Sequence, residues 1–223
     1  MPEALSLPFT DETGTAAPRW ITEGVLLLPG FAETASLYPF IERIAKAAPF
    51  RHMMTPGGHA MSASMTNCGA LGWVSDRQGY RYAPADPLTG MPWPEMPATL
   101  RKIAIEAAAL AGFMDFDPDA CLINCYEPGA RMGLHQDKDE ADFSQPVITL
   151  SVGLPAILQL AGVRRTGPSR DILLEDGDVL VLGGPARLYY HGIRPVRDGM
   201  HPVTGRCRIS LTLRQAEEAH AIR

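Results

Sequence analysis

Ala120-Cys121-Leu122-Ile123-Asn124-Cys125-Tyr126, followed by Glu127-Pro128-Gly129, reads as a seven-residue strand and a reversal. The same pattern continues towards the C-terminus. Short apolar segments at 120–126, 131–136, 146–152, 156–161, 171–174, 178–183, 187–193 and 206–214 alternate with turns such as Glu175-Asp176-Gly177. Strands of this length and spacing predict a mainly β (α+β) fold, a jelly roll or double-stranded β-helix. No internal repeat is visible, which disfavours a propeller.

Upstream, the periodicity changes. Leu37, Phe40, Ile41, Ile44 and Ala48 fall at helical spacing and predict a helix over 36–48, with Ser36 as N-cap and Pro49 as the stop. Leu100, Ile103, Ala104, Ala107 and Ala111 predict a second helix over 97–111, ended by Gly112. Both would pack against one sheet of the β core. Val25–Leu28 reads as a short strand, and residues 51–96 as an irregular, hairpin-bearing lobe. The expected organisation is a loose lead-in over 1–20, a helix-bearing extension over 21–118, the β core over 119–215 and a tail over 216–223.

The 223 residues suffice for one sizeable core, with 46% hydrophobic and 20% charged residues as in ordinary globular chains. The N-terminus has no cationic stretch leading into an apolar one, and no apolar run approaches the ~20 residues of a membrane span. A cytoplasmic protein without membrane contact is expected. Cys121 and Cys125 lie four residues apart on one strand, about 13 Å, too far to share a bond or a metal. All four cysteines, Cys68 and Cys207 included, are therefore expected as buried thiols. A net charge of −5 argues against wholesale phosphate binding, although Arg51, Arg77 and Arg81 form one local basic cluster and Arg164, Arg165 and Arg170 another.

The chemistry centres on His135-Gln136-Asp137. Residues two apart on a strand share a face, so an imidazole and a carboxylate would project together. His191, 54 residues beyond Asp137, supplies a third ligand on another predicted strand, with His201 as a competitor in a loop. Two imidazoles and one carboxylate occupy one face of an octahedron and suit ferrous iron better than a closed zinc site. In the last segment Arg208, Ser210, Thr212 and Arg214 alternate with Ile209, Leu211 and Leu213, aligning two guanidiniums and two hydroxyls. Arginine is the preferred bidentate partner of a carboxylate, and 2-oxoglutarate carries two. Asn124 and Tyr126, also two apart, could donate to the same molecule.

Asn124-Cys125-Tyr126, His135-Gln136-Asp137-Lys138-Asp139, Tyr190-His191-Gly192 and Arg208-x-Ser210-x-Thr212-x-Arg214 resemble the motifs of the bacterial AlkB DNA-repair dioxygenases. The resemblance extends through Thr55-Pro56-Gly57-Gly58, Met65-Thr66-Asn67-Cys68-Gly69, Leu71-Gly72-Trp73 and Gln78-Gly79-Tyr80, covering roughly residues 45–215. It implies a double-stranded β-helix with an N-terminal nucleotide-recognition lid, and Fe(II) held by His135, Asp137 and His191. Arg208 would pair with the distal carboxylate of 2-oxoglutarate and Arg214 would lie near its keto-acid end, with Asn124, Tyr126 and Ser210 as further partners. Ser210 departs from the family, which usually has Asn there.

The same resemblance implies a monomeric enzyme that takes alkylated single- or double-stranded DNA, with RNA as an alternative substrate. It would use O₂ and 2-oxoglutarate to oxidise the methyl group of 1-methyladenine or 3-methylcytosine, releasing formaldehyde, succinate and CO₂. Trp73 would stack on an extruded base opposite His135, Tyr80 would contact the backbone, and Asp139 would favour cationic bases. Met65, Arg165 and Thr55 complete the implied substrate contacts. Two other readings remain open at this stage: an oxygenase acting on a small molecule or protein side chain, and a binding module whose His and Asp are structural.

Overall fold

The computed structural model describes residues 17–217. Its strands run, in chain order, β1 Arg19–Thr22, β2 Val25–Leu28, β3 Ser64–Gly69, β4 Gly72–Asp76, β5 Gly79–Ala83, β6 Ala120–Tyr126, β7 Met132–His135, β8 Val147–Gly153, β9 Ala156–Gly162, β10 Arg170–Leu174, β11 Val179–Leu182, β12 Tyr190–Ile193 and β13 Arg208–Arg214. Two helices, α1 Thr34–Ala47 and α2 Ala98–Leu110, precede the β-rich half. A seven-stranded sheet has the order β1-β2-β11-β8-β13-β6-β3, and a four-stranded sheet the order β10-β9-β12-β7. From β6 onward the chain passes back and forth between them, with β9 and β10 as a hairpin within the smaller sheet, as in a jelly roll. The hairpin β4-β5 stands apart from both.

Alternation along the strands divides the interior in two. Ile123, Ile148, Leu150, Ile209, Leu211 and Leu213 turn outward from the larger sheet and pack against Leu37, Ile41, Ile44, Leu100 and Ala104 of the helices. Leu122, Tyr126, Val147, Leu180 and Leu182 turn inward to meet Leu158, Leu160, Ile172 and Ile193 of the smaller sheet. On β13 the inward set is Arg208, Ser210, Thr212 and Arg214, all buried. A one-residue register slip would put the two arginines among the helices' apolar side chains, so burial on both faces fixes the pairing. No helix among the described residues is long and apolar enough to cross a membrane.

Several boundaries differ from the sequence reading. The first helix begins at Thr34, because the Glu33 carboxylate accepts from the N–H groups of Ala35 and Ser36 and replaces Ser36 as the cap. Of the expected lead-in, residues 1–16 lie outside the described residues, while Arg19 and Trp20 belong to β1. Strands β1, β2 and β3 extend the larger sheet, which residues 120–214 do not complete alone. The segment expected as a strand over 187–193 starts only at Tyr190; a 3-10 turn at Gly184–Ala186 precedes it. Arg187 closes that turn in helical geometry, and its side chain forms a buried ion pair with Glu140.

The expectation of four free thiols is corrected for one pair. Cys68 and Cys121 are buried and free, facing each other across β3 and β6. Cys125 and Cys207 are joined as a disulfide with Cα atoms 6.3 Å apart, because the β6–β13 register brings together residues 82 positions apart. Spacing within β6 excluded a Cys121–Cys125 bond and carried no information about this one.

Candidate active site

His135 ends β7 and His191 lies on β12, and the two are register partners across that strand pair. Their ring centres are 4.5 Å apart. The Nδ1 of His135 lies 3.0 Å from the Gly133 carbonyl, and that of His191 lies 3.0 Å from the Tyr189 carbonyl. A carbonyl only accepts, so each ring carries its proton on Nδ1 and turns a bare Nε2 inward. Those Nε2 atoms sit 3.7 Å from Oδ1 and Oδ2 of Asp137 respectively. Three lone-pair donors thus converge, all within 4.8 Å of one another, and Asp137 Oδ2 has no hydrogen-bond partner among the described residues. Converging acceptors with no proton between them suit a cation, and this N₂O set with one open side fits Fe(II).

Asp137 lies two residues beyond the end of β7, so strand alternation does not aim it. Arginines do. Arg187 donates through Nη1 to the Asp137 carbonyl (2.7 Å), through Nε to the Gln145 carbonyl and through Nη2 to Glu140 Oε2 (3.0 Å). Arg214 donates through Nη2 to Asp137 Oδ1 at 3.0 Å and places Nε 3.2 Å from Glu140 Oε1. Burial pushes the Asp137 carboxyl up, but Arg214, His191 and His135 outweigh it and hold it well below the usual carboxylate range. Burial, reinforced by His135, lowers His191 to about 4. At neutral pH the site therefore offers a carboxylate and a neutral imidazole, the forms that bind metal. Glu140, Arg187 and Tyr82, whose hydroxyl donates to Glu140 at 2.6 Å, escaped the sequence reading. Glu140 looks there like one more solvated acid after Asp139, and only its burial distinguishes it.

Of the inward stripe of β13, Ser210, Thr212 and Arg214 line the cavity, Arg214 in contact with Asp137 itself, and Arg208 lies behind its wall. Asn124 pairs with Ser210 and Tyr126 with Arg208 across β6–β13. Arg208 is wholly buried, its guanidinium carbon 5.2 Å from the Tyr126 ring centre. Its Nη2 reaches Ser151 Oγ at 3.2 Å, while Nε and Nη1 have no partner among the described residues, nor has Asn124 Oδ1. Burial pushes the Arg208 guanidinium down, as expected of a cation with no facing carboxylate. A buried arginine with two orphaned donors is costly unless an anion meets it, and a dicarboxylate fits.

The cavity holds about 390 Å³. Its wall brings together Met65, Trp73, Tyr80, Asn124, Tyr126, His135, Asp137, Asp139, Arg165, His191, Ser210 and Arg214 from strands and loops far apart in sequence. Trp73 and Tyr80, on β4 and β5, stack with ring centres 5.5 Å apart, and Trp73 Nε1 donates to Asp139 Oδ2 at 2.8 Å. Thr55 lies outside this wall, in a turn where its hydroxyl accepts from the His59 N–H. His201 is also elsewhere, 3.7 Å from Asp176. The first basic cluster is largely neutralised: Arg51 pairs with Asp86 and Arg81 with Asp76. Asp86 lies beyond the stretch of sequence that holds those three arginines.

A jelly roll that presents two imidazoles and a carboxylate opposite a buried arginine defines the class of iron-dependent 2-oxo acid oxygenases. Residues 24–214 match the model of the 2OG-Fe(II) oxygenase superfamily. Among curated relatives, "Alpha-ketoglutarate-dependent dioxygenase AlkB" of Salmonella typhimurium is 51% identical over 212 residues, 94% of this chain and 97% of that protein. The human "Nucleic acid dioxygenase ALKBH1" is 32% identical over 97 residues, 44% of this chain and 25% of that one. The solved structure of OsALKBH1 superposes with a TM-score of 0.78 at 25% identity, covering 89% of this chain and 100% of that chain. The chain belongs to the AlkB family within this superfamily and is an α-ketoglutarate-dependent dioxygenase that uses Fe(II), 2-oxoglutarate and O₂.

Proposed function

We propose that this dioxygenase removes methyl groups from alkylated nucleic-acid bases, with 1-methyladenine and 3-methylcytosine in DNA as preferred substrates. The observation that carries the reading is the pair of partly exposed stacked aromatics, Trp73 and Tyr80, at the mouth of the cavity whose wall holds the triad. A flat aromatic face beside an oxidising centre suits an extruded base. The name of the human relative points the same way.

His135, Asp137 and His191 hold the iron. Arg208 binds the distal carboxylate of 2-oxoglutarate, with Asn124, Tyr126 and Ser210 as hydrogen-bond partners; Arg214 keeps Asp137 ionised beside the keto-acid end. When bound, iron and 2-oxoglutarate supply O₂ activation coupled to decarboxylation to succinate and CO₂. Oxidation of the N-methyl group followed by loss of formaldehyde regenerates the base. The chain's remaining task is placement. Trp73 stacks on the base, Met65 and Arg165 line its pocket, and Asp139 faces the positive charge of the methylated ring. Tyr80 lies on the exposed side, where the nucleic-acid backbone would run. Arg77, Lys138 and Arg164 form no ion pair among the described residues and remain to meet phosphates. Thr55, outside the cavity, serves at most the backbone.

The test is an aerobic incubation with Fe(II), 2-oxoglutarate and an oligonucleotide carrying 1-methyladenine. The oligonucleotide should lose one methyl group's mass as formaldehyde and succinate appear. Succinate without any change in the oligonucleotide would reject repair and leave an oxygenase of another substrate class.

A further inference from the structure

Trp73 and Tyr82 face each other across the β4–β5 hairpin, and each reaches the loop after the metal-binding carboxylate. Trp73 Nε1 donates to Asp139 and Tyr82 Oη donates to Glu140, so partner residues on two strands grip consecutive acids. The two grips differ in kind. The Trp73–Asp139 bond is exposed, where water replaces it at little loss. Glu140 is buried, fastened by Arg187 at 3.0 Å and Arg214 at 3.2 Å, and both arginines also hold Asp137. Two cations, two carboxylates and one phenol therefore form a continuous buried network from the hairpin to the metal site, in which each member restrains the next.

We infer that the Tyr82–Glu140 hydrogen bond is the fixed joint that sets the β4–β5 hairpin over the metal site, which makes Tyr82 a positioning residue for nucleic-acid substrate. This rests on the proposed base-stacking role of Trp73. A cationic base on the Trp73 face would compete for the Asp139 carboxylate and draw it from the indole N–H. The hairpin would then lose its exposed grip at the moment of binding, and the buried one keeps it in register. The hairpin's other hydrogen bonds run to β3 and to neighbouring loops: Asn67 bonds the Trp73 backbone twice, Ser75 bonds the Met54 carbonyl and Trp93 bonds the Ala83 carbonyl. None of these reaches the loop that carries Asp137.

The test is Tyr82→Phe, which removes only the hydroxyl. In the Fe(II)- and 2-oxoglutarate-loaded enzyme without nucleic acid, amide hydrogen exchange over 72–83 should accelerate about tenfold or more while β13 stays protected. With a 1-methyladenine oligonucleotide, KM for the oligonucleotide should rise about tenfold with KM for 2-oxoglutarate little changed, and more succinate should form per base repaired. Unchanged exchange over 72–83 overturns the joint whatever the substrate. Faster exchange with an unchanged oligonucleotide KM overturns its positioning role. If exchange rises throughout the sheet, the rise over 72–83 is compared with that over β13, and an equal rise in both also overturns the joint. Wild-type inactivity on the oligonucleotide rejects the repair reading, while the exchange result still decides the joint.

Discussion

Tyr126 and Arg208 face each other across β6 and β13, the guanidinium carbon 5.2 Å from the ring centre and two of its nitrogens without partners. The ring shields the cation from water on one side without neutralising it. Cation–π attraction offsets only part of the loss of hydration. The arrangement is stable to the extent that an anion completes it, which is the basis of the co-substrate role proposed for Arg208.

Arg208→Ala should raise the apparent KM for 2-oxoglutarate strongly, since truncating one partner of a buried, hydrogen-bonded charge pair loses about 2–5 kcal/mol. Ser210→Asn, restoring the usual family side chain, should be tolerated and tighten binding slightly. Steady-state kinetics in 2-oxoglutarate on both variants settle this; an unchanged KM in Arg208→Ala removes that arginine from the co-substrate site.

The three proposed metal ligands should separate by stability. His135→Ala and His191→Ala should abolish iron binding and succinate release with little loss of folding. Asp137→Ala should abolish them too and also lower stability by about 1–3 kcal/mol, because it strips Arg214 of one of two buried carboxylate partners. Denaturant melts of the iron-free proteins check the order. Wild-type activity in any one variant would strike that residue from the ligand set.

Charge selection should show as a ratio. Asp139→Asn keeps an oxygen that can accept from Trp73 Nε1 and loses only the charge. It should slow reaction on 1-methyladenine and 3-methylcytosine more than on neutral lesions. Trp73→Ala should weaken both classes, stacking being worth about 1–3 kcal/mol per base whatever its charge. Equal losses on both classes in Asp139→Asn would leave Asp139 an orienting group.

The iron-free protein should lose stability in a defined acid window. His191 is lowered to about 4 in the fold against an ordinary value of 6.5. Above pH 6.5 neither the folded nor the unfolded chain protonates it. As pH falls from 6.5 to about 4 the unfolded chain takes up the proton first, so stability drops, by at most about 3 kcal/mol. Asp137, held low, adds its own loss only below the ordinary carboxylate range. Denaturant melts at pH 7, 5.5 and 4.5 should show the decline, and His191→Asn should flatten it. An equal slope in that variant would place the acid sensitivity elsewhere.

Much of this protein is determined by the sequence alone, because strand alternation is a local property. Arg208, Ser210, Thr212 and Arg214 alternate with Ile209, Leu211 and Leu213, and one face cannot be buried beside the helices without turning the other into the cavity. The same holds for Asn124 and Tyr126 on β6 and for His135 at the end of β7, and the family motifs follow from those positions. What only the tertiary structure decided is which distant groups meet. Asp137 lies beyond its strand and is aimed by Arg187 and Arg214, 50 and 77 residues away. Glu140 reads as a surface acid until Tyr82, Arg187 and Arg214 close around it. Cys125 finds Cys207, and Arg51 finds Asp86, through sheet register and loop packing. Periodicity encodes the face on which a side chain lies; its partner across that face depends on register and chain reversals, which no local pattern records.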